Sequence, residues 1–196
     1  METSVNLKHV YEDKGFKEIR RTYMPTLSVS DVNKDIPMST EKYIIKTLRD
    51  VSMNEEWLKK LTNLVKNNYE KTHLVNPVVG VDIKKWEKLI LADDIILDGS
   101  IIYIDQDKKD VIAYSFLHQS EKSDTYELGW CGVEDNYNRE LITQLTFHQI
   151  CYAADHGVQY IVGEFDTTDH NAMEVLKTLP FQPSPTLITY QKSNLD

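Results

Sequence analysis

Three β-rich runs followed by one long helix restrict this chain more than any other feature. The runs at 101–104, 111–118 and 126–133 are separated by polar turns at 105–110 and 119–124, and strands joined by links this short pair antiparallel. A helix expected over about 138–156, stopped by Gly157, then crosses to a further strand at 160–165. A meander followed by a helical crossover gives a mixed sheet covered by helices on both faces.

The flanking segments extend that pattern. Residues 43–48 are rich in β-formers. Ser52 and Glu55 have the spacing of a capping box ahead of a helix to about Tyr69, which carries Trp57, Leu58, Leu61, Leu64 and Val65 on one face. Asp82 is placed to cap a second helix, where Ile83, Trp86, Leu89 and Ile90 recur at helical spacing. A short helix at 169–179 and a last strand at 187–191 complete the order β-α-α-β-β-β-α-β-α-β, an α/β (α+β) arrangement with a mostly antiparallel central sheet. Before it, residues 1–18 read as a helix ending at Gly15, and 16–27 as extended chain that Pro25 keeps from being helical. The Ser-, Asp- and Pro-containing stretch 28–41 is a linker, so 1–35 forms an appendage and 40–196 a domain. A lone helix and strand have little core, so the appendage should dock on the domain or on a second copy, and a homodimer through 16–27 is the form expected.

Charge narrows the partners. With 31 acidic against 22 basic residues the formal net charge is −9 and the pI about 5.1. Such a surface repels phosphate backbones and anionic bilayers, which argues against nucleic acid or membrane partners, and it tolerates a cationic amine. Met1 is followed by no apolar segment, and Cys131 and Cys151 are the only cysteines. Both point to a reducing compartment, the cytoplasm. Cys131 on an apolar strand reads as a packing residue, as does His148 between Leu145 and Tyr152. The six histidines form no ligand pair, so no metal is expected.

From Ile101 onward, order and spacing resemble the GNAT superfamily of N-acetyltransferases. In that family the fourth strand ends in valine and a loop of pattern R/Q-x-x-G-x-G/A opens the long helix. Here Val133, Tyr137 and Ile142 stand at the matching places in 132–143, and Ala153 and Gly157 fit the helix end. The later signature N-x-x-A-x-x-x-Y-x-x-x-G-F aligns with Asp169, Ala172, Leu176, Pro180 and Phe181, with Asn171 in place of the displaced asparagine. The chain is most similar to the C-terminal half of tandem GNAT proteins of mycothiol synthase-like architecture, because residues 10–16 resemble the end of a further GNAT domain.

The resemblance implies an acetyl-CoA-dependent N-acetyltransferase acting on a small-molecule or peptide amine by direct transfer. It assigns the thioester carbonyl to the Val133 backbone and the pyrophosphate to the loop and helix start, through Asn138, Arg139, Leu141, Ile142 and Thr143, with Asn171 nearby. Amides at a helix N-terminus suit an anion. Glu127 is the candidate general base, or else an ordinary exposed strand carboxylate. Three departures stand out. Leu141 and Thr143 occupy the two glycine positions, Leu176 occupies that of the acid tyrosine, and 134–143 carries three acids against one base. Each poorly screened acid beside a pyrophosphate costs on the order of 1 kcal/mol, so acetyl-CoA should bind weakly. Loss of both glycines and the tyrosine also suits a catalytically degenerate GNAT-fold module serving binding, regulation or assembly.

Overall fold

The computed structural model describes residues 5–33, 42–74 and 80–192; most of the expected linker and the loop around Pro77 lie outside them. The N-terminal part holds α1 (Val5–Asp13), β1 (Lys17–Tyr23) and β2 (Thr26–Ser28). Then come β3 (Tyr43–Thr47), α2 (Leu48–Ser52), α3 (Glu55–Thr72) and α4 (Ile83–Ile90). The meander is β4 (Ile101–Asp105), β5 (Val111–Gln119) and β6 (Thr125–Val133), followed by α5 (Glu140–Asp155). The chain closes with β7 (Tyr160–Gly163), β8 (Phe165–Asp166), α6 (His170–Thr178) and β9 (Thr186–Gln191).

Helix boundaries follow local chemistry. Asp82 caps α4 as expected, accepting from the Lys85 amide at 2.8 Å. Asn54, rather than Ser52, caps α3 through the Trp57 amide at 3.0 Å. Ser52 instead closes the short α2, whose own capping box joins Thr47 and Asp50. Both glycine stops hold: Gly15 and Gly157 take φ of 78° and 72°, and the next residue's amide reaches back to Tyr11 and Ala153 respectively.

Six strands form one sheet in the order β2-β7-β6-β5-β4-β3. All its pairings are antiparallel except β6 with β7, the crossover made by α5. The helices divide between its faces. Ile102, Ile104, Tyr114 and Phe116 pack under α2, α3 and α4. Tyr103, Ala113, Cys131 and Val133 pack under α5 and α6. Inside the second core Gln149 is fully buried and satisfied, accepting from the Ser115 hydroxyl and donating to its carbonyl. No helix among the described residues is long and apolar enough to cross a membrane.

The expected strand at 160–165 divides at Glu164, because Phe165 and Asp166 leave the large sheet and pair with β1. A second sheet of order β8-β1-β9 results. The N-terminal segment therefore docks on its own chain, with β1 as the central strand, β9 along one edge and β8 at the last two residues of the other. Pro25 separates β1 from β2, and β2 turns back to pair with β7.

Candidate active site

The gap between β6 and β7 organises the site. The two strands pair from Thr125↔Tyr160 to Leu128↔Gly163 and no further. Beyond Leu128, β6 continues against β5 alone, through Cys131↔Ser115 and Val133↔Ala113. The Glu134 amide donates to Ile112 of β5 at 2.8 Å. Strand alternation then turns the Val133 amide the other way, toward the gap.

Cavities occupy both sides of this gap and a constriction joins them. The larger, about 570 Å³, lies between the starts of α5 and α6 and is bounded by Val133, the 134–140 loop and the last turns of α3. The second, about 390 Å³, is walled by Tyr69, His73 and Trp130 on one side and by Glu164, Asp166 and Asp169 on the other. A neck of about 30 Å³ shares Asn68, Thr72 and Asn171 with the first and His73, Cys131 and Asp169 with the second.

Of the residues expected from sequence, Val133, Asn138, Arg139 and Asn171 line the large cavity. Leu141, Ile142 and Thr143 are instead buried on the core side of α5, because the helix begins at Glu140 and turns these side chains toward the sheet. Leu141 therefore does not plug the groove. Glu127 sits in the still-paired stretch of β6, opposite His118 and Val162. It is exposed and is not among the residues lining these cavities.

The helix start is more occupied than a free anion seat would be. Asn138 accepts from the Glu140 amide at 3.0 Å and donates to the Glu140 carboxylate at 2.9 Å. The Leu141 and Ile142 amides bond the Asn138 and Arg139 carbonyls. Around the cavity stand Glu134, Asp135, Glu140 and Glu174 against Lys71 and Arg139, and Lys71 is already paired with Asp135 at 2.6 Å.

The neck has different chemistry. Burial, and then the neighbouring Asp169, push the Cys131 thiol well above its ordinary range, so it is no nucleophile. Tyr114 also faces the neck, its hydroxyl pushed up by burial. None of Tyr137, Tyr152 and Tyr190 lines it: Tyr137 donates to Asp105 at 2.6 Å, Tyr152 stacks on His156 and Tyr190 on Tyr11. His73 was not visible in the sequence as a site residue. It stacks on Tyr69, ring centroids 3.7 Å apart, and its Nδ1 lies 2.9 Å from the Tyr69 carbonyl. In the tautomer that carries its proton on Nδ1, which can donate to that carbonyl or to the Thr72 hydroxyl 2.9 Å away, Nε2 keeps its lone pair.

Asp169 caps α6, accepting from the Asn171 and Ala172 amides at 2.9 and 3.2 Å. Burial raises its carboxyl above the ordinary range against the opposing pull of those amides. The folded state thus holds this proton more readily than the unfolded one, a contribution complete below about pH 4 and lost as pH rises through the folded value. An asparagine in its place would keep the cap without the charge. Asp169→Asn is therefore expected to gain stability relative to the parent as pH rises from 4 to 7.5, while Asp169→Ala loses about 1 kcal/mol from the missing cap. Thermal melts across that range test this; a pH-independent difference between parent and Asn variant would refute it.

No protein-family model and no curated protein matches the sequence. Solved structures do match in shape. A GCN5-related N-acetyltransferase from Sphaerobacter thermophilus aligns over 97% of this chain and 57% of that one, with TM-score 0.65 and 10% identity. A tandem GNAT protein from the clavulanic acid biosynthesis pathway aligns over 94% and 57%, with TM-score 0.58 and 12% identity. A GNAT-family acetyltransferase from Colwellia psychrerythraea aligns over 95% and 60%, with TM-score 0.53 and 13% identity. The chain spans less than two thirds of each. It has the GNAT fold.

Proposed function

We propose that the chain is an acyl-CoA-dependent N-acyltransferase, with acetyl-CoA as donor and a small-molecule or peptide amine as acceptor. One observation carries this reading: two chambers meet at a neck where a strand edge has come free of its neighbour. A donor entering from the α5 side and an acceptor entering from the aromatic side would be brought together there.

The fit to the donor is uneven. Free strand edge and the Val133 amide suit the amide-rich arm and carbonyl of an acyl-CoA. Arg139 and Lys71 are the cations available to its phosphates, but the acids beside them and the occupied helix amides weaken that end. The acceptor chamber suits an ammonium group: three carboxylates face one guanidinium, Arg20, which already bonds Asp166 at 3.0 Å, and the partly exposed Trp130 ring adds cation–π attraction. His73 Nε2 takes one proton from the ammonium, a role the sequence offered to Glu127. The neutral nitrogen attacks the carbonyl carbon, the C–N bond forms as the C–S bond breaks, and the second nitrogen proton ends on the thiolate. We place the reaction in the cytoplasm, consistent with Cys131 and Cys151 not being joined in a disulfide.

Titration of acetyl-CoA by calorimetry tests the reading. Saturable binding weaker than about 10 µM but tighter than about 1 mM is expected, and His73→Ala should keep that binding while losing turnover of amines. No saturation at millimolar concentration would leave the second reading, a GNAT-fold module without catalysis, which the occupied amides at the start of α5 favour.

A further inference from the structure

We infer that Asn68 is a carbonyl-binding residue at the neck, its side-chain amide donating a hydrogen bond to the acyl oxygen of the donor. This rests on the acyl-CoA reading and adds a binding group that the resemblance does not assign.

Asn68 lies on the inward face of α3 together with Leu61, Leu64 and Val65, and only 5% of it is exposed. Its Nδ2 is buried and has no hydrogen-bonding partner among the described residues. The Tyr114 hydroxyl is near enough to draw a weak bond from it, which lowers the Tyr114 pKa against the larger effect of burial, but this contact falls short of full hydrogen-bond geometry, and an amide nitrogen has a second N–H to offer. A buried amide donor is left unpaired so rarely that a ligand is the natural partner to look for. Asn68 borders both the large cavity and the neck, so its side chain stands where the chambers meet.

The strand opposite is shaped to admit it. Nδ2 stands 2.3 Å from the point a Cβ of residue 132 would occupy, so only glycine there lets Asn68 come down onto β6. Gly132 is on the stretch that has left β7, next to Val133, whose amide faces the gap. Asn68 and Val133 both border the large cavity where it narrows to the neck, with the Tyr114 hydroxyl 2.8 Å from the same Cβ point. Neutral donors beside so narrow a neck suit a carbonyl oxygen. A phosphate would go to the wide, cation-bearing mouth one helical turn away, at Lys71.

The test compares two ligands, acetyl-CoA and S-ethyl-CoA, a thioether that has a methylene in place of the carbonyl. Calorimetry on the full chain should show acetyl-CoA bound about tenfold more tightly. In Asn68→Ala, and in Asn68→Asp, which keeps the shape but not the donor, the preference for acetyl-CoA over the thioether should shrink to about threefold, the part left to the Val133 amide. Thioether binding itself should hold in the alanine variant, which shows that the groove is intact. Equal binding of both ligands by the parent, or a preference undiminished by both substitutions, overturns the role of Asn68 and leaves the acyl-CoA reading standing. Failure of both ligands to bind the parent overturns that reading and this inference together.

Discussion

Deletion of residues 1–30 is expected to leave a chain with no cooperative unfolding transition. The segment looks dispensable in sequence, yet β1 pairs with β9 from Lys17↔Gln191 to Tyr23↔Thr186 and with β8 at Thr22 and Tyr23. Without it, the second sheet loses its central strand and both remaining strands lose their partners. Asp166 loses the Arg20 guanidinium and the Thr22 hydroxyl, and the backbone at Arg21 releases Thr167. Leu27, fully buried in the core under α5, goes as well, and an emptied leucine site alone costs about 2–5 kcal/mol. Those losses together exceed the roughly 5–15 kcal/mol that holds a typical domain folded. Deletion of residues 1–14 is a different case. It removes α1 and the stack of Tyr11 on Tyr190, a contact of about 0.5–1.5 kcal/mol, and should lower the midpoint by only a few degrees. Circular dichroism melts of the two deletions decide the matter. A cooperative transition near the parent midpoint in the longer deletion would show that the second sheet is not built around β1.

Integration of the N-terminal strand also bears on assembly. A strand with one bare edge invites a second copy, and the sequence reading placed a homodimer there. Within the chain β9 lines one edge of β1 and β8 takes the other only at Thr22 and Tyr23, so the edge left for a second copy is short; we propose a homodimer through what remains of it.

How far the sequence could be read depended on whether a feature was local. The meander, the crossover helix and the glycine stops were legible because alternation, helical spacing and left-handed backbone are encoded within a few residues. The cap of α4 was legible for the same reason. The partner of β1 was not, since register between segments about 150 residues apart depends on the packed fold. The division of 160–165 between two sheets escaped for that reason too: nothing at Glu164 marks a change of partner. In the site, Val133, Asn138 and Asn171 followed from motif spacing. Leu141 and Thr143 stand at the two glycine positions, yet they do not crowd the groove. The start of α5 at Glu140 rotates them into the core, and its own side chains and carbonyls use up the amides. Asn68 did leave a signal. It falls three residues after Val65 and seven after Leu61, on the apolar stripe of α3, where a polar residue must find a partner. His73 left none, since its position depends on a ring stack at the end of a helix.

Gly132→Ala is expected to lower stability by about 1–3 kcal/mol, the usual cost of overpacking, and to weaken acetyl-CoA binding about threefold through the displaced Asn68. The new methyl group would stand 2.3 Å from Asn68 Nδ2 and 2.8 Å from the Tyr114 hydroxyl. Tyr114 is 2% exposed and packed against Phe116, so it cannot swing aside, and Asn68 has to yield. Gly129→Ala is the matched control. Its methyl group would meet His118 at a similar 2.3 Å, but that residue is only partly buried and lies away from the neck, so donor binding should be unchanged. The decisive measurement is a double-mutant cycle. If the methyl group and Asn68 compete for one space, Asn68→Ala removes most of the cost of Gly132→Ala, and the pair should be more stable than the two separate losses predict, by about 1 kcal/mol. Strict additivity would mean that the two side chains do not meet, and the donor at the neck would lose its structural basis.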